Sequence, residues 1–217
     1  MKELLNLDFD VNKCKKELKE FGALLHKHKT LSERKTILPF FKRRKHLGAF
    51  IGFHHSGNTK LDRFATEFGF FGNYRCDLIS GDSNTKSYCV VEFEDAKPNS
   101  IFSKRGRDSS YWANRIEDGF SQIVDWFWTL SDFKKTDNFR DTFGDTEADF
   151  IALIVIGRNR FLKRTSDKTR FRWRSKNISV NNIKVTCMTY DELYKAMCER
   201  IKALNTDEDN DFEPIQD

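Results

Sequence analysis

The sequence lacks a long hydrophobic run. Its longest uninterrupted apolar stretch runs only from Phe150 to Ile156, whereas a transmembrane helix needs about 18 such residues. No apolar segment of the signal-peptide type follows Met1. These absences argue against a membrane-spanning or membrane-bound protein and predict a cytoplasmic location.

Paired cysteines are also lacking. The five cysteines form no Cys-x-x-Cys motif, and their number is odd. Closely spaced pairs are typical of zinc sites, and even sets are typical of disulfide frameworks. A chain of 217 residues also buries enough surface to fold without cross-links. We therefore expect reduced, buried thiols and exclude a disulfide miniprotein.

Charge is distributed unevenly along the chain. The net charge is +5, but residues 206–217 contain six acidic residues and no basic one, so the rest of the chain carries +11. The basic surplus lies mainly in residues 1–46 and 158–176. Blocks of this kind favour either a surface that binds polyanions such as DNA or a solvated face.

Apolar periodicity predicts an alternation of helices and strands without repeats or linkers. Two helices are expected at 11–29 and 32–45, with Ser32 as the N-cap of the second. After Gly48 the pattern predicts an antiparallel meander, followed by α, β, α, β and α elements, the last helix capped by Asp191. The fold class is therefore α/β, with a mixed central sheet flanked by helices. The later strands are expected at 49–54, 63–71, 74–80, 87–94, 149–156 and 183–188, and the later helices at 111–130, 158–176 and 191–204.

Three carboxylates are predicted to converge on one hairpin. The turn residues at 81–84 indicate that the flanking strands fold back on each other. With the turn centred between residues 84 and 85, Asp77 lies opposite Glu92. Because side chains alternate along a strand, Glu92 and Glu94 project from one face. Such a cluster is destabilising without a cation, for which Mg²⁺, with Mn²⁺ able to substitute, is the simplest candidate. The alternative is a solvated sheet edge.

The helix expected at 111–130 adds a polar group. Gln122 has Gly119 one turn before it and Trp126 one turn after it, on a face separate from the apolar stripe that begins at Ile116. From that face Gln122 would orient a water or a phosphate. An ordinary surface position is the alternative.

Five short motifs carry a family resemblance. They are CDLI at 76–79, VVEFEDA at 90–96, IFS at 101–103, FSQIVDW at 120–126 and VTCMTYDEL at 185–193. Together they resemble the C-terminal nuclease domain of the Shedu immune nuclease family, a branch of the PD-(D/E)xK nuclease superfamily, over about residues 30–204. The resemblance implies a restriction-endonuclease-like core of order αβββαβ and a metal-dependent DNA endonuclease that protects bacteria against phage, leaving a 5′-phosphate.

The resemblance also implies roles for particular residues. Asp77 and Glu92 fill the positions of the two strand acids that hold Mg²⁺, and Gln122 fills that of the glutamine supporting the site. Glu33 corresponds to the helical acid that completes the metal shell, although Glu17 and Glu20 compete for this position.

One position departs from the superfamily pattern. Where a lysine is usual, this chain has Glu94, which would take the proton from the attacking water or hold a second metal. Lys97 or Lys104 in the following loop would then supply the positive charge, the alternative being solvated loop lysines.

The basic segment 158–176 interleaves arginines with Phe161, Phe171 and Trp173. This pattern suits phosphate contacts together with stacking on bases. A helix docked on the sheet with a basic outer face gives the same pattern. The arginines predicted to bind nucleic acid here are Arg158, Arg160, Arg164, Arg170, Arg172 and Arg174.

We expect three segments: an N-terminal helical extension at 1–29, a nuclease domain at 30–205 and an acidic disordered tail at 206–217. The resemblance implies a homo-oligomer. Because only about thirty residues precede the core, we expect regulation by an activating or sensing partner protein, by the geometry of the oligomer, or by the loops and the tail. The rival hypothesis is a non-catalytic nucleic-acid-binding or sensing module that keeps the nuclease fold but, without the usual lysine, cleaves nothing.

Overall fold

The computed structural model describes residues 3–72, 74–103 and 110–204. Seven strands form one sheet and two short strands form a separate ribbon. In chain order the strands are β1 Leu5–Asn6, β2 Arg63–Phe70, β3 Tyr74–Asp82, β4 Ser87–Phe93, β5 Phe102–Ser103, β6 Tyr111–Trp112, β7 Asp149–Val155, β8 Ser179–Val180 and β9 Ile183–Met188.

Helices cover both faces of the large sheet. They are α1 Val11–Lys27, α2 Leu38–Arg43, α3 Lys45–Phe50, α4 Asn114–Phe133, α5 Asp137–Phe143, α6 Thr165–Asn177 and α7 Tyr190–Leu204. A π-helical turn at Glu33–Ile37 and 3-10 turns at Ile51–His54 and Asn159–Phe161 complete the helical structure described. None of the helices in the described residues is long and apolar enough to cross a bilayer.

The sheet has the order β1-β2-β3-β4-β7-β9-β8. Strands β2 to β4 form three strands of the expected antiparallel meander, and the unpredicted strand β1 pairs antiparallel with β2 in place of the strand expected at 49–54. Strand β4 then pairs in parallel with β7, which pairs in parallel with β9. The predicted mixed α/β architecture is therefore confirmed. Strand β4 is central, and every one of its residues is buried, so any acid it carries is placed inside the molecule.

Each face of the sheet has its own apolar layer. On one side α1, α2, α3 and α7 pack over the sheet, with Phe41 stacked on Phe93 at 4.6 Å between ring centroids. On the other side α4, α5 and α6 pack, with Phe143 against Phe150 at 5.0 Å. All five cysteines are buried and free, as expected.

Helix α1, which belongs to the predicted 1–29 extension, is part of the first layer. Phe21 is fully buried and contacts Phe41 of α2 at 5.4 Å and Tyr194 of α7 at 6.0 Å between ring centroids. The expected domain division near residue 30 therefore lies within one packed layer. The predicted disordered tail at 206–217 lies outside the described residues.

The strand predicted at 49–54 is wrong. This stretch forms the end of α3 and the 3-10 turn that follows it. The aromatic and β-branched residues there are typical of a strand, but close packing on the sheet decides the conformation. A Cβ on Gly48 would lie 2.8 Å from Phe64, and one on Gly52 would lie 2.6 Å from the Ser80 hydroxyl. Two glycines thus let a short helix approach the strands closely.

Two helix boundaries also differ from expectation. Helix α4 begins at Asn114 rather than 111, because Tyr111–Trp112 is taken up in pairing with β5. Helix α5 was not predicted; it is capped by Thr136 and ends at Gly144, whose φ of 83° favours glycine.

The single helix predicted at 32–45 is divided into the π-helical turn, α2 and α3, with Pro39 in the first turn of α2, where its missing amide is tolerated. The helix predicted at 158–176 begins only at Thr165, after the 3-10 turn, because Arg158 and Asn159 are engaged by Asp191. The short strands β1, β5, β6 and β8 were not predicted, whereas the other strands, α1 and α7 match the sequence pattern within a few residues.

The cap of α7 is Thr189 and not Asp191. The Thr189 hydroxyl accepts from the Glu192 amide at 3.1 Å, while the Glu192 carboxylate accepts from the Thr189 amide at 2.9 Å. This reciprocal pair is a capping box. Asp191 instead binds the guanidinium of Arg158.

Candidate active site

The β3–β4 hairpin has the register predicted from its turn. Leu78 pairs with Val91 and Ser80 with Cys89, and the same register continued by one residue sets Asp77 opposite Glu92. There Asp77 Oδ2 accepts a hydrogen bond from the Phe93 amide at 2.8 Å. The hairpin thus brings two acids together at the end of the paired region.

Glu92 and Glu94 face helix α4, as the alternation predicts. The Gln122 side chain hydrogen-bonds to the Glu92 carboxyl. A Cβ on Gly119 would lie 3.8 Å from Glu94 Cγ, so the absence of a side chain leaves room beside that acid. Phe93, between them, packs in the opposite layer. The structure therefore brings Gln122 to the cluster by the helix face that the sequence indicates.

Trp126, which follows Gln122 by one turn, does not share the polar environment of that residue. Trp126 is 1% exposed and packs against Phe70, with 5.8 Å between ring centroids, in the same apolar layer as Ile116. Trp126 is therefore a core residue and does not extend the polar face.

Glu33 reaches the cluster through a short bridge to the end of β4. The amide and carbonyl of Leu31 exchange hydrogen bonds with those of Ala96, at 3.1 and 2.9 Å. The Glu33 amide donates to Asp95 Oδ1 at 2.9 Å, and Ser32 is the N-cap of the turn, as predicted. These contacts hold the first turn of the π-helical segment beside the strand acids.

The competing helical acids have other partners. Glu17 Oε2 accepts from the Leu47 amide at 2.7 Å and so caps the start of α3. Glu20 binds the Arg44 guanidinium at 2.6 Å. Glu33, in contrast, contributes electrostatically to the pKa of each strand acid. Of the three candidates, the structure thus brings Glu33 to the cluster.

Burial and mutual repulsion make the carboxyls hard to ionise. Burial is the largest cause that raises the pKa of Asp77 and of Glu92, and the nearby acids raise it further. Burial likewise raises the pKa of Glu94 to about 7, with Glu33 adding to the effect. The pKa of Glu33 is raised for the same first reason. The cluster therefore lacks positive charge relative to the number of acids it collects.

One atom of the cluster is left without a partner. Within the described residues, Glu92 Oε2 is buried and has no hydrogen-bond partner, an arrangement that costs free energy unless a ligand satisfies it. Carboxylate oxygens are the donors that Mg²⁺ and Mn²⁺ prefer. In donor chemistry the cluster fits a hard divalent cation.

The side chains are not arranged as a finished metal centre. Over residues 3–72, 74–103 and 110–204, no three His, Cys, Asp or Glu side chains are placed so that they could hold an ion together. Binding of a cation here therefore requires carboxylate side chains to rotate toward it.

Arg115 is the residue of this site that the sequence reasoning missed. Its guanidinium lies 3.3 Å from Glu94, 3.6 Å from Glu33 and 3.8 Å from Asp95. It stands one turn before Gly119 on α4, so the same helical spacing that singled out Gln122 was the available signal. About half of its side chain, 49%, remains exposed.

Of the two lysines predicted to supply positive charge from the loop after β4, one lies within the described residues. The Lys97 ammonium forms an ion pair with Asp95 at the rim of the cluster, with its side chain half exposed. Lys104 lies outside the described residues. On the other side of the cluster, Lys42 binds Glu67 at 2.9 Å and lowers the pKa of Asp77 electrostatically.

Arg158 does not fit the predicted role in nucleic-acid binding. It is 2% exposed, and its Nε lies 2.8 and 3.0 Å from the two carboxylate oxygens of Asp191. It also donates to the carbonyls of Leu25 and His28 at the end of α1. Because every side of this guanidinium faces protein, we assign Arg158 to the fold.

The other arginines of the basic segment fall into two groups. Arg160, Arg164 and Arg172 are exposed. Arg174 is held by Glu117 through hydrogen bonds of 2.6 and 2.8 Å, and Arg170 donates to the Ser110 carbonyl at 2.6 Å. The first group is open to a ligand, whereas the second forms part of the wall between α6 and α4.

A mixed sheet covered by helices on both faces, with buried acids converging at the end of a central hairpin, defines a protein of the α/β class with a polar centre inside the sheet. The model of the family described as Shedu protein SduA, C-terminal, matches residues 16–194, and the chain belongs to this family. The family implies an anti-phage defence nuclease domain. No curated protein matches the sequence significantly.

Proposed function

We propose that the chain is a metal-dependent DNA endonuclease with a PD-(D/E)xK type of core, which hydrolyses phosphodiester bonds in anti-phage defence. The observation that carries the proposal is the cluster of Asp77, Glu92 and Glu94 with the unpartnered Glu92 Oε2. A fold gains nothing from buried acids that repel one another, so their presence points to a bound cation and to chemistry. Membership in the Shedu family supports a nuclease.

Asp77, Glu92 and Glu33 would hold Mg²⁺, or Mn²⁺ in its place. A divalent cation held there supplies a water of lowered pKa and neutralises charge on the scissile phosphate. The hairpin register, which sets Asp77 opposite Glu92, supports the first two ligands. The hydrogen bond from the Glu33 amide to Asp95, which anchors Glu33 beside them, supports the third.

Glu94 and Gln122 would act on the attacking water. The pKa of Glu94 is about 7, which suits a group that accepts a proton near neutral pH. The amide of Gln122 can both donate and accept hydrogen bonds, and it lies against Glu92 on the helix that covers the cluster. Gln122 would therefore hold the water or a phosphate oxygen in place.

Arg115 would supply the positive charge that a lysine supplies elsewhere in the superfamily. It contacts Glu94, the residue at the usual lysine position, and its exposed half is open to a phosphate. A guanidinium remains charged at any working pH and binds phosphate in a bidentate manner. Lys97 adds a second cation at the rim.

DNA would approach across the rim of the cluster and α6. The exposed Arg160, Arg164 and Arg172 would contact phosphates, with Arg170 and Arg174 forming the adjoining wall. A cytoplasmic location, a homo-oligomer and an activating or sensing partner protein are proposed together with this activity on the family resemblance alone.

A non-catalytic DNA-binding or sensing module is the second candidate. Two observations favour it: a glutamate stands at the usual lysine position, and the carboxylates of the described residues are not drawn together around a common point. Such a module would bind DNA with the same basic surface and would gain no stability from added metal.

A cleavage assay separates the two candidates. Wild-type protein, Asp77→Ala and Glu92→Ala are incubated with circular, linear and single-stranded DNA in Mg²⁺, Mn²⁺ or EDTA. We expect the wild type to cut in Mg²⁺ or Mn²⁺ and not in EDTA, and both variants to bind DNA almost normally without cutting. Normal cutting by purified Glu92→Ala would refute the site, and metal-independent binding without cutting by all three proteins would favour the sensing module.

A further inference from the structure

One pocket of the described residues is lined by two indole rings, an isoleucine side chain and the apolar parts of two arginines. It lies between the β5–β6 ribbon and α6 and has a volume of about 400 Å³. The lining residues are Trp112, Arg170, Trp173, Arg174 and Ile178. None of them belongs to the proposed metal centre.

The inner wall of the pocket is held rigidly. The Trp112 ring stacks on Phe102 with 4.4 Å between centroids, and the guanidinium carbons of Arg170 and Arg174 lie 5.1 and 4.6 Å from the centre of the Trp112 ring. Hydrogen bonds to Glu117 fix Arg174 from behind. Flat groups are thus fixed in position before any ligand arrives, which lowers the entropy cost of binding.

The outer wall is Trp173, which is 63% exposed. A large indole left this open on a helix gains little for folding, and exposed aromatic surface of this kind is typical of binding sites. The indole lines the same pocket as the rigid wall, so a flat ring entering the pocket would find an exposed aromatic surface on which to stack.

The surroundings of the pocket decide which ligand it suits. The outer face of α6 carries exposed cations, and its one acid, Asp167, is buried. A ligand with flat apolar rings and a repeated negative charge matches this combination, whereas an apolar peptide would leave the cations unpaired. The exposed basic residues of the segment are Arg160, Lys163, Arg164, Lys168, Arg172 and Lys176.

The pocket and the cluster both contact helix α4. Arg174 binds Glu117, which follows Arg115 by two residues on α4, a rise of about 3 Å along the helix axis. Residues two apart project from different sides of a helix, so a DNA strand that contacts both Arg115 and the pocket would have to pass across α4.

We propose that this pocket binds one unstacked nucleobase of a single-stranded or locally opened segment of the DNA substrate, with Trp173 as the stacking surface and Trp112, Arg170 and Arg174 as the wall behind it. The proposal deepens the proposed function, on which the choice of DNA as the ligand rests. The binding itself does not depend on cleavage.

The test measures equilibrium binding of a fluorescent single-stranded oligonucleotide in EDTA, so that no cleavage occurs. Trp173→Ala, Trp112→Ala and Trp173→Phe are compared with Trp128→Ala, a matched control because Trp128 is 62% exposed on α4. Removal of one stacking surface is worth about 1–3 kcal/mol per base. We expect Trp173→Ala to weaken binding about tenfold or more, Trp173→Phe to retain most of it, and Trp128→Ala to change nothing.

A second oligonucleotide with abasic sites identifies the contact. Stacking predicts that Trp173→Ala and the wild type bind the abasic strand equally. If Trp173→Ala loses the same affinity for the normal and the abasic strand, or loses affinity for neither, the proposal is overturned. So would a change of oligomeric state in Trp173→Ala without a change in DNA binding, which would assign the pocket to a protein partner.

The two proposals can fail separately. If the wild type cleaves DNA but Trp173→Ala binds and cleaves like it, the pocket proposal fails and the nuclease remains. If Trp173→Ala loses base-dependent binding while the wild type cleaves nothing under any metal condition, the nuclease proposal fails and the pocket remains.

Discussion

At the scale of single residues, Glu94 shows how the site opposes ionisation of a carboxyl. Burial of its side chain raises its pKa, its neighbours Glu33 and Asp77 raise it further, and Arg115 lowers it. Because the folded pKa of about 7 lies above the ordinary value of 4.5, the folded state favours the protonated carboxyl. The stability contributed by Glu94 is therefore fully present below about pH 4.5 and is lost as the pH rises through 7.

The raised pKa of Glu94 predicts how the stability of the protein changes with pH. In metal-free buffer the wild type should lose stability relative to Glu94→Gln between about pH 4.5 and 7, by up to about 3 kcal/mol, since the amide does not ionise. Urea unfolding of both proteins at a series of pH values measures the difference. A constant difference across this range would show that Glu94 is not strained by its surroundings.

The second prediction concerns Arg115. If its guanidinium stabilises charge at the phosphate, Arg115→Ala should lower the cleavage rate about 100- to 1000-fold, and Arg115→Lys should retain part of it. Arg140→Ala is the control, because Arg140 pairs with Asp137 on an exposed helix face. If Arg115→Ala raises KM and leaves kcat unchanged, Arg115 binds the substrate but does not stabilise the transition state.

Among the elements, the hairpin and α4 could be predicted and the approach of α3 could not. The hairpin register follows from turn residues and the alternation of side chains, so the positions of Asp77, Glu92 and Glu94 were available from the sequence. The α3 segment has a strand-like composition, and its helix depends on glycine contacts with distant strands. Arg115 shares the helical spacing of Gln122, but its acidic partners include Glu33, which the chain brings near only on folding.

The third prediction concerns the buried ion pair of Arg158 and Asp191, which connects α7 to the end of α1. Arg158 joins α7 through Asp191 to the last carbonyls of α1, inside the protein. Arg158→Ala leaves Asp191 buried without its partner and should cost about 3–5 kcal/mol of unfolding free energy, or at least several degrees in Tm for a domain of this size. Thermal unfolding measures it, and a change below about 1 kcal/mol would mean that the buried pair is not required.

At the scale of the whole molecule, basic side chains outside the core decide how strongly DNA is held. The fourth prediction is that replacing Arg160, Arg164 and Arg172 together with glutamine lowers the slope of log affinity against log salt by about 2–3 for duplex DNA, since each phosphate contact contributes about 0.9. The control replaces Lys13, Lys195 and Lys202, which are exposed on α1 and α7. Equal slopes for the two triple variants would remove α6 from the DNA-binding surface.

The central claim is that the buried acids of β3 and β4 exist to hold a divalent cation. The most direct measurement is anomalous X-ray scattering at the manganese edge from crystals of the wild type and Glu92→Gln grown in excess Mn²⁺. We expect a peak in contact with Asp77 and Glu92 in the wild type, and its loss or strong weakening in Glu92→Gln. A wild-type map with no peak at these carboxylates would contradict the claim and leave the chain as a DNA-binding module.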